Sequence, residues 1–186
     1  NWGRPLKSIL ALFDKKKLTF DFHHLSSSNS TFIDKEFEEQ KKIFNDFKEY
    51  SNFFKKMNII IDQKQRKDLI EKKLNEITNK KNIKIENNSK LLDEVVDLTD
   101  QPNVIICEFD RKFLNIPKEI LIITMQYHQK YFPTFDKKGN ITNEFLVVTN
   151  KQDKKGFIKL GNERVVEARL SDAEFFWEKD KSQNLV

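Results

Sequence analysis

The chain has 186 residues, 38% hydrophobic and 34% charged with 17 phenylalanines, enough apolar content for one core of ordinary size and too much for wholesale disorder. No apolar run reaches the roughly 18 to 20 residues of a membrane-spanning helix, and no signal-peptide pattern opens the chain, so a soluble cytoplasmic domain is expected. The formal net charge of +5 points to an anionic partner, nucleic acid first; the same Lys, Asn, Ile and Phe richness would also follow from an A/T-rich genome.

The first residue is Asn rather than Met, and the chain reads as a piece of a longer one. Pro5 to Phe13 reads as a short helix with Leu6, Ile9, Leu10 and Phe13 on one face, Pro suiting its first position. LTFDF alternates like a strand, and HHLSSSNSTF has loop composition. From Glu36 to Met57 the spacing of Phe37, Phe44, Phe47 and Phe54 predicts one or two amphipathic helices. Asn58 to Asp62 reads as a buried strand, and Asp62 as the cap of a helix carrying Leu69, Ile70, Leu74 and Ile77.

NIKIE is a short strand, Asn88 or Ser89 caps the helix SKLLDEVVDLTD, and Pro102 stops it. NVIICEF has the continuous apolarity of a strand near a sheet centre. IPKEILIITMQYHQ reads as a helix, and KYFPTF, the turn DKKGN and NEFLVVTN form an antiparallel hairpin. A last helix is expected over 162–181. The architecture is therefore α+β: a single domain with a mixed, partly antiparallel sheet packed by amphipathic helices.

Chemistry is sparse. Cys107 is the only cysteine and sits in an apolar strand, which suits a buried, inert thiol. The adjacent His23 and His24 lack metal-ligand spacing, and the four glycines form no nucleotide-binding loop. No metal site is expected. At about 100° per residue, Ile120, Ile123, Thr124 and Tyr127 share an arc that Leu121 and Met125 extend, with His128 inside it and Gln129, Lys130 and Tyr131 outside.

His128 is then either a hydrogen-bonded core histidine near a helix end, or a general base or phosphate contact. In the last helix Val165, Val166, Leu170, Ala173, Phe176 and Trp177 form a face with Arg169 in its middle, either in a structural ion pair with Asp172 or held rigid to meet a phosphate or another domain. GNER, Gly161 to Arg164, brings Gly and Asn to the start of that helix, whose free N–H groups could receive a phosphate. Candidate nucleic-acid contacts are accordingly Gln129, Lys130, Tyr131, Asn162 and Arg164, and no catalytic set is assigned.

Taken in order, LLDEVVDLTDQPNVIICEFDRKFLNIPKEILIITMQYHQKYFPTFDKKGNITNEFLVVTN and GNERVVEARLSDAEFFWEKD resemble the β subunit of bacterial heterotetrameric glycyl-tRNA synthetase, and NWGRPLKSILALF looks like that family's Arg-Pro segment. Between His23 and Asn58 the resemblance is lower: the family follows its Ser-Gly-Asn-Thr-Thr loop with Gly-His-Arg-Phe, whereas SSSNSTF runs into IDKEFEEQ here. Gln101 stands where the family has an acidic residue before proline.

The resemblance implies about a quarter of a β subunit, from its N-terminal half, with residues 1–161 forming a domain similar to the B3/B4 region of phenylalanyl-tRNA synthetase β and 162–186 a helix leading to the next domain. It implies a part in ATP-dependent attachment of glycine to tRNA(Gly). The tRNA and the α subunit would be partners, ATP and Mg would sit at the α subunit, and this piece would hold no cofactor. Two alternatives stand beside tRNA binding and scaffolding: an editing-type deacylase using His128 or Thr124, and a structural spacer.

Overall fold

The computed structural model describes residues 6–35 and 38–182; Pro5, Glu36 and Phe37, which entered the helix expectations, lie outside the described residues. The backbone forms two compact units, 1–59 and 60–186. The architecture is α+β, as expected, while the anticipated boundary between 161 and 162 falls within the last helix.

The first unit is mostly short strands: Ile9–Leu10 (β1), Leu12–Phe13 (β2), Lys16–Lys17 (β3), Asp21–Phe22 (β4), Leu25–Ser28 (β5), Ser30–Lys35 (β6) and Glu38–Ile43 (β7), followed by helix Phe47–Lys56 (α1). β5 lies between β1 and β4, while β2–β3 and β6–β7 are hairpins. Three expectations are corrected here. Ile9, Leu10, Leu12 and Phe13 enter β1 and β2 instead of a helix, and between them Ala11 N–H donates to the Ser28 carbonyl at 2.8 Å and Leu18 N–H to the Ala11 carbonyl at 3.1 Å.

The serine-rich stretch is β5 and β6 rather than loop. The Ser27 hydroxyl accepts from Phe20 N–H and donates to the Leu18 carbonyl, both at 2.8 Å, so the serines satisfy strand edges instead of competing with them. Glu38–Ile43 pairs with β6, so only Phe47–Lys56 of the expected helical region is helix. Asp46 caps that helix by accepting from Glu49 N–H at 2.7 Å. Fully buried Phe44 meets the rings of Tyr50 and Phe53 at 5.2 and 5.5 Å, an aromatic core for this unit.

Asn58 to Asp62, expected as a strand, is not one. The carbonyls of Ile60 and Ile61 are instead held by a side chain, the Arg66 guanidinium donating to each at 2.8 Å. In the second unit Asp62 caps helix Gln63–Lys81 (α2), and Asn88 caps helix Ser89–Leu98 (α3), both as expected. Lys84–Ile85 (β8), Asn103–Glu108 (β9), Phe132–Phe135 (β10) and Ile141–Thr149 (β11) form one antiparallel sheet in the order β8-β10-β11-β9. The β10–β11 hairpin is as predicted.

β9 is an outer strand, not a central one. Its apolarity comes from helices on both faces: Val104 joins the core with α2 and α3, and Cys107 the core on the other side. Alternation along β11 does the same, Leu146 facing one core and Phe145 and Val147 the other. The second core is closed by a 3-10 turn at Arg111–Asn115, helix Lys118–Ile123 (α4), a π-helical turn at Thr124–His128 and helix Phe157–Ser182 (α5). None of the helices among the described residues is long and apolar enough to cross a membrane.

Candidate nucleic-acid interface

Helix α4 buries Leu121, and the π-turn that follows buries Thr124 and Met125. A uniform α-helix would carry His128 onto that same face. The i→i+5 bonding of a π-turn winds less per residue, so His128 is turned out and exposed. Ile123 and Tyr127 are also outside, Tyr127 at 73% exposure. The predicted arc is corrected accordingly: Thr124 is buried, while His128 is exposed.

The turn ends at Lys130, whose φ of 60° is a left-handed conformation costing a non-glycine residue about 1–2 kcal/mol. Tyr131 N–H donates back to the Met125 carbonyl at 2.9 Å, closing the end as a helix C-terminal motif does. The strained backbone aims the Lys130 ammonium at two partners. It lies 2.5 Å from Glu94 Oε2 and 5.5 Å from the centre of the Tyr127 ring. The Lys130 ammonium holds the Glu94 carboxyl below its ordinary pKa.

Around them is a shallow cavity of about 150 Å³ lined by Lys90, Glu94, Ile122, Ile123, Gln126, Tyr127 and Lys130, among others. Gln129 is half-buried beside it. Tyr131 was expected at the surface and is corrected: it is 7% exposed and stacks on Phe145 at 5.2 Å. Its hydroxyl donates to Asn162 Oδ1 at 2.5 Å, and burial pushes its pKa up to about 12. Two predicted RNA contacts thus bind each other and fasten α5 to the sheet.

α5 begins at Phe157, so GNER lies within the helix and its N–H groups are not a free phosphate site. The real first turn is taken by Asp153, whose carboxylate accepts from Ile158 N–H at 3.1 Å and Lys159 N–H at 2.7 Å. Arg164 is exposed and lines a cavity of about 440 Å³ with Lys159, Glu108, Glu163 and Glu167. Three carboxylates against two cations make that cavity a poor receptor for phosphate.

Arg169 and Asp172 are both exposed, and the described residues show no ion pair between them; the buried stripe of α5 is only Val166 and Leu170, too narrow to include Arg169. Cys107 is buried as expected, and burial foremost, then the Glu163 charge, pushes its thiol up to about 12, which leaves no nucleophilic thiolate at neutral pH. No group of three or more metal-ligating residues occurs among the described residues. The exposure of Tyr127 was missed by the sequence, since nothing in its neighbours signals a π-turn.

Comparison with known proteins bears on the whole chain. It is 38% identical over 185 residues to the glycine–tRNA ligase beta subunit of Rickettsia akari, 37% over 187 to that of Rickettsia felis and 38% over 185 to that of Rickettsia africae. Each alignment takes in 99% of this chain and 28% of the relative's length. The family model of the glycyl-tRNA synthetase beta subunit matches residues 1–186, and the chain belongs to that family.

Proposed function

We propose that the chain forms part of the β subunit of a glycine–tRNA ligase, where it binds tRNA(Gly) and helps to scaffold the catalytic α subunit. The observation that carries the reading is the family match along 1–186. Attachment of glycine with ATP and Mg is then the work of the α subunit, and residues 1–186 make no bond themselves. The tRNA surface is centred on the π-turn: Tyr127 offers an exposed ring for base stacking, beside the Lys130 ammonium, and His128, Gln129 and Lys130 supply polar and cationic groups around it. Tyr131 and Asn162 act behind this surface as its support. The B3/B4-like character implied by the sequence resemblance is consistent with an RNA-handling role.

The assembled α and β subunits provide the test. Binding of tRNA(Gly), followed by fluorescence anisotropy, should weaken by about 1–3 kcal/mol in Tyr127→Ala, the worth of one base stacked on an aromatic ring. Tyr127→Phe should retain most of the affinity. Equal binding by the wild type and Tyr127→Ala would remove the π-turn surface from the tRNA interface.

A further inference from the structure

At one end of the second sheet, three elements bring lysines together away from the π-turn. α2 ends with Lys80 and Lys81, and Asn82, at φ 58°, reverses the chain so that Ile83 N–H donates to the Thr78 carbonyl at 3.1 Å. Lys84 follows at once in β8, paired across the ladder with Phe135. That register sets Lys84 beside the β10–β11 turn, and its ammonium donates to the Lys137 carbonyl at 3.4 Å. Lys137 and Lys138 project from the turn, which Gly139 closes at φ 87°.

All five lysines are exposed. Three carboxylates stand near them and keep their charge, and only Glu144 is paired with one of these lysines. Asp136 accepts from Asn140 N–H at 2.8 Å and from its side-chain amide at 2.9 Å, and Glu144 pairs with Lys81 at 2.9 Å. Glu86 stands further along the chain, within 3.5 Å of the Gln126 amide. Among the described residues no carboxylate pairs with Lys80, Lys84, Lys137 or Lys138.

We infer that this end is a second contact for the tRNA, taking its sugar-phosphate backbone without reading bases. The inference rests on the tRNA-binding reading above and deepens it. Lysines spread over an open surface are mobile point charges that suit a run of phosphates; a single bound anion would call for an enclosed site with fixed donors. An RNA backbone also supplies several phosphates at once, matching four ammonium groups that have no carboxylate partner. The π-turn surface offers an aromatic ring, and the lysine end offers charge alone.

The test uses the assembled α and β subunits with Lys84→Ala/Lys137→Ala/Lys138→Ala, and a charge-reversed form with Glu at the same three positions. The equilibrium constant for tRNA(Gly) is measured across a salt series. In the alanine form the slope of log K against log salt should become shallower by about 0.7–0.9 for each phosphate that a lysine no longer neutralises, and the glutamate form should bind at least tenfold more weakly than wild type near 100 mM salt.

Unchanged slope and affinity in both variants, with wild-type binding intact, would overturn the lysine contact while leaving tRNA binding standing. Loss of subunit assembly with unchanged tRNA affinity per assembled enzyme would overturn it too, and would assign the lysines to an acidic protein face. A wild-type enzyme whose tRNA affinity owes nothing to the β subunit would instead sink the parent reading.

Discussion

The two units of this chain reach stability by different routes. Residues 60–186 sandwich one sheet between helices and bury an apolar cluster on each face. Among the described residues of 1–59 the buried apolar side chains are Ile33 and Phe44, and small ladders with serine hydroxyl bonds do much of the rest. Phe13 and Phe47 are each 72% exposed, but the second unit exposes Tyr127 and Phe157 as fully, at 73% and 71%, so surface rings do not tell the two apart. The difference lies in alternation, which feeds two cores only where helices cover both sides of a sheet.

The sharpest way to break this contrast is to remove a side chain from the two-sided core. Phe145 is fully buried and stacks between Phe109 at 6.3 Å and Tyr131 at 5.2 Å. Phe145→Ala should cost about 4–5 kcal/mol, the upper end for such truncations, measured as a lower denaturant midpoint for the second unit. Phe44→Ala in the first unit should cost about 3 kcal/mol, the lower end, since its neighbours on one thin layer can close in. Hydrogen exchange checks the contrast: α1 and the β6–β7 hairpin should lose protection while β9 to β11 keep theirs. Loss of protection in both regions would mean that the units do not hold their cores separately.

A smaller effect belongs to Asn88, whose side chain accepts from Leu91 N–H at 3.0 Å. Asn88→Ala should cost about 1 kcal/mol, and Asn88→Asp should recover most of it. The smallest effects are electrostatic. Hydrogen bonds from the Asn140 side chain and backbone hold the Asp136 carboxyl below its ordinary pKa, as the Lys130 hydrogen bond does for Glu94.

A carboxyl depressed in the folded state contributes stability above its unfolded pKa, and that contribution fades as pH falls through the folded value. Both groups are at the surface, so the loss should be slight and confined to the acid side. Carboxyl-carbon NMR titration should show both midpoints below those of model peptides, and Asn140→Ala should move the Asp136 midpoint up. An unmoved midpoint would show that Asn140 does not set it.

Features decided by a few neighbouring residues were legible in the sequence. Asp62 and Asn88 cap helices because the capping oxygen sits three residues from the N–H it accepts. The β10–β11 hairpin follows from two apolar runs around DKKGN. Features decided at a distance were not. Phe44 shares helical spacing with Phe47 and Phe54, yet it follows β7, whose partner is β6. NVIICEF looked central in the sheet because apolarity reports helices above and below a strand, not its place in the order.

The candidate site divides the same way. Lys130 was identifiable as a polar residue at a helix end, and the buried Cys107 as an inert thiol. Tyr127 was hidden because face counting assumes a constant twist, which the π-turn violates, and Tyr131 looked free because its partner, Asn162, is 31 residues away.

By itself, then, the sequence determined the α+β class, the capped helices, the hairpin and, through its resemblance, the family. The strand order, the outward turn of Tyr127 and His128, and the meeting of Lys84 with Lys137 came only with the tertiary structure. Local hydrogen bonds are written in adjacent residues, whereas pairing partners and the helix register are chosen by whichever distant surface buries the most apolar area.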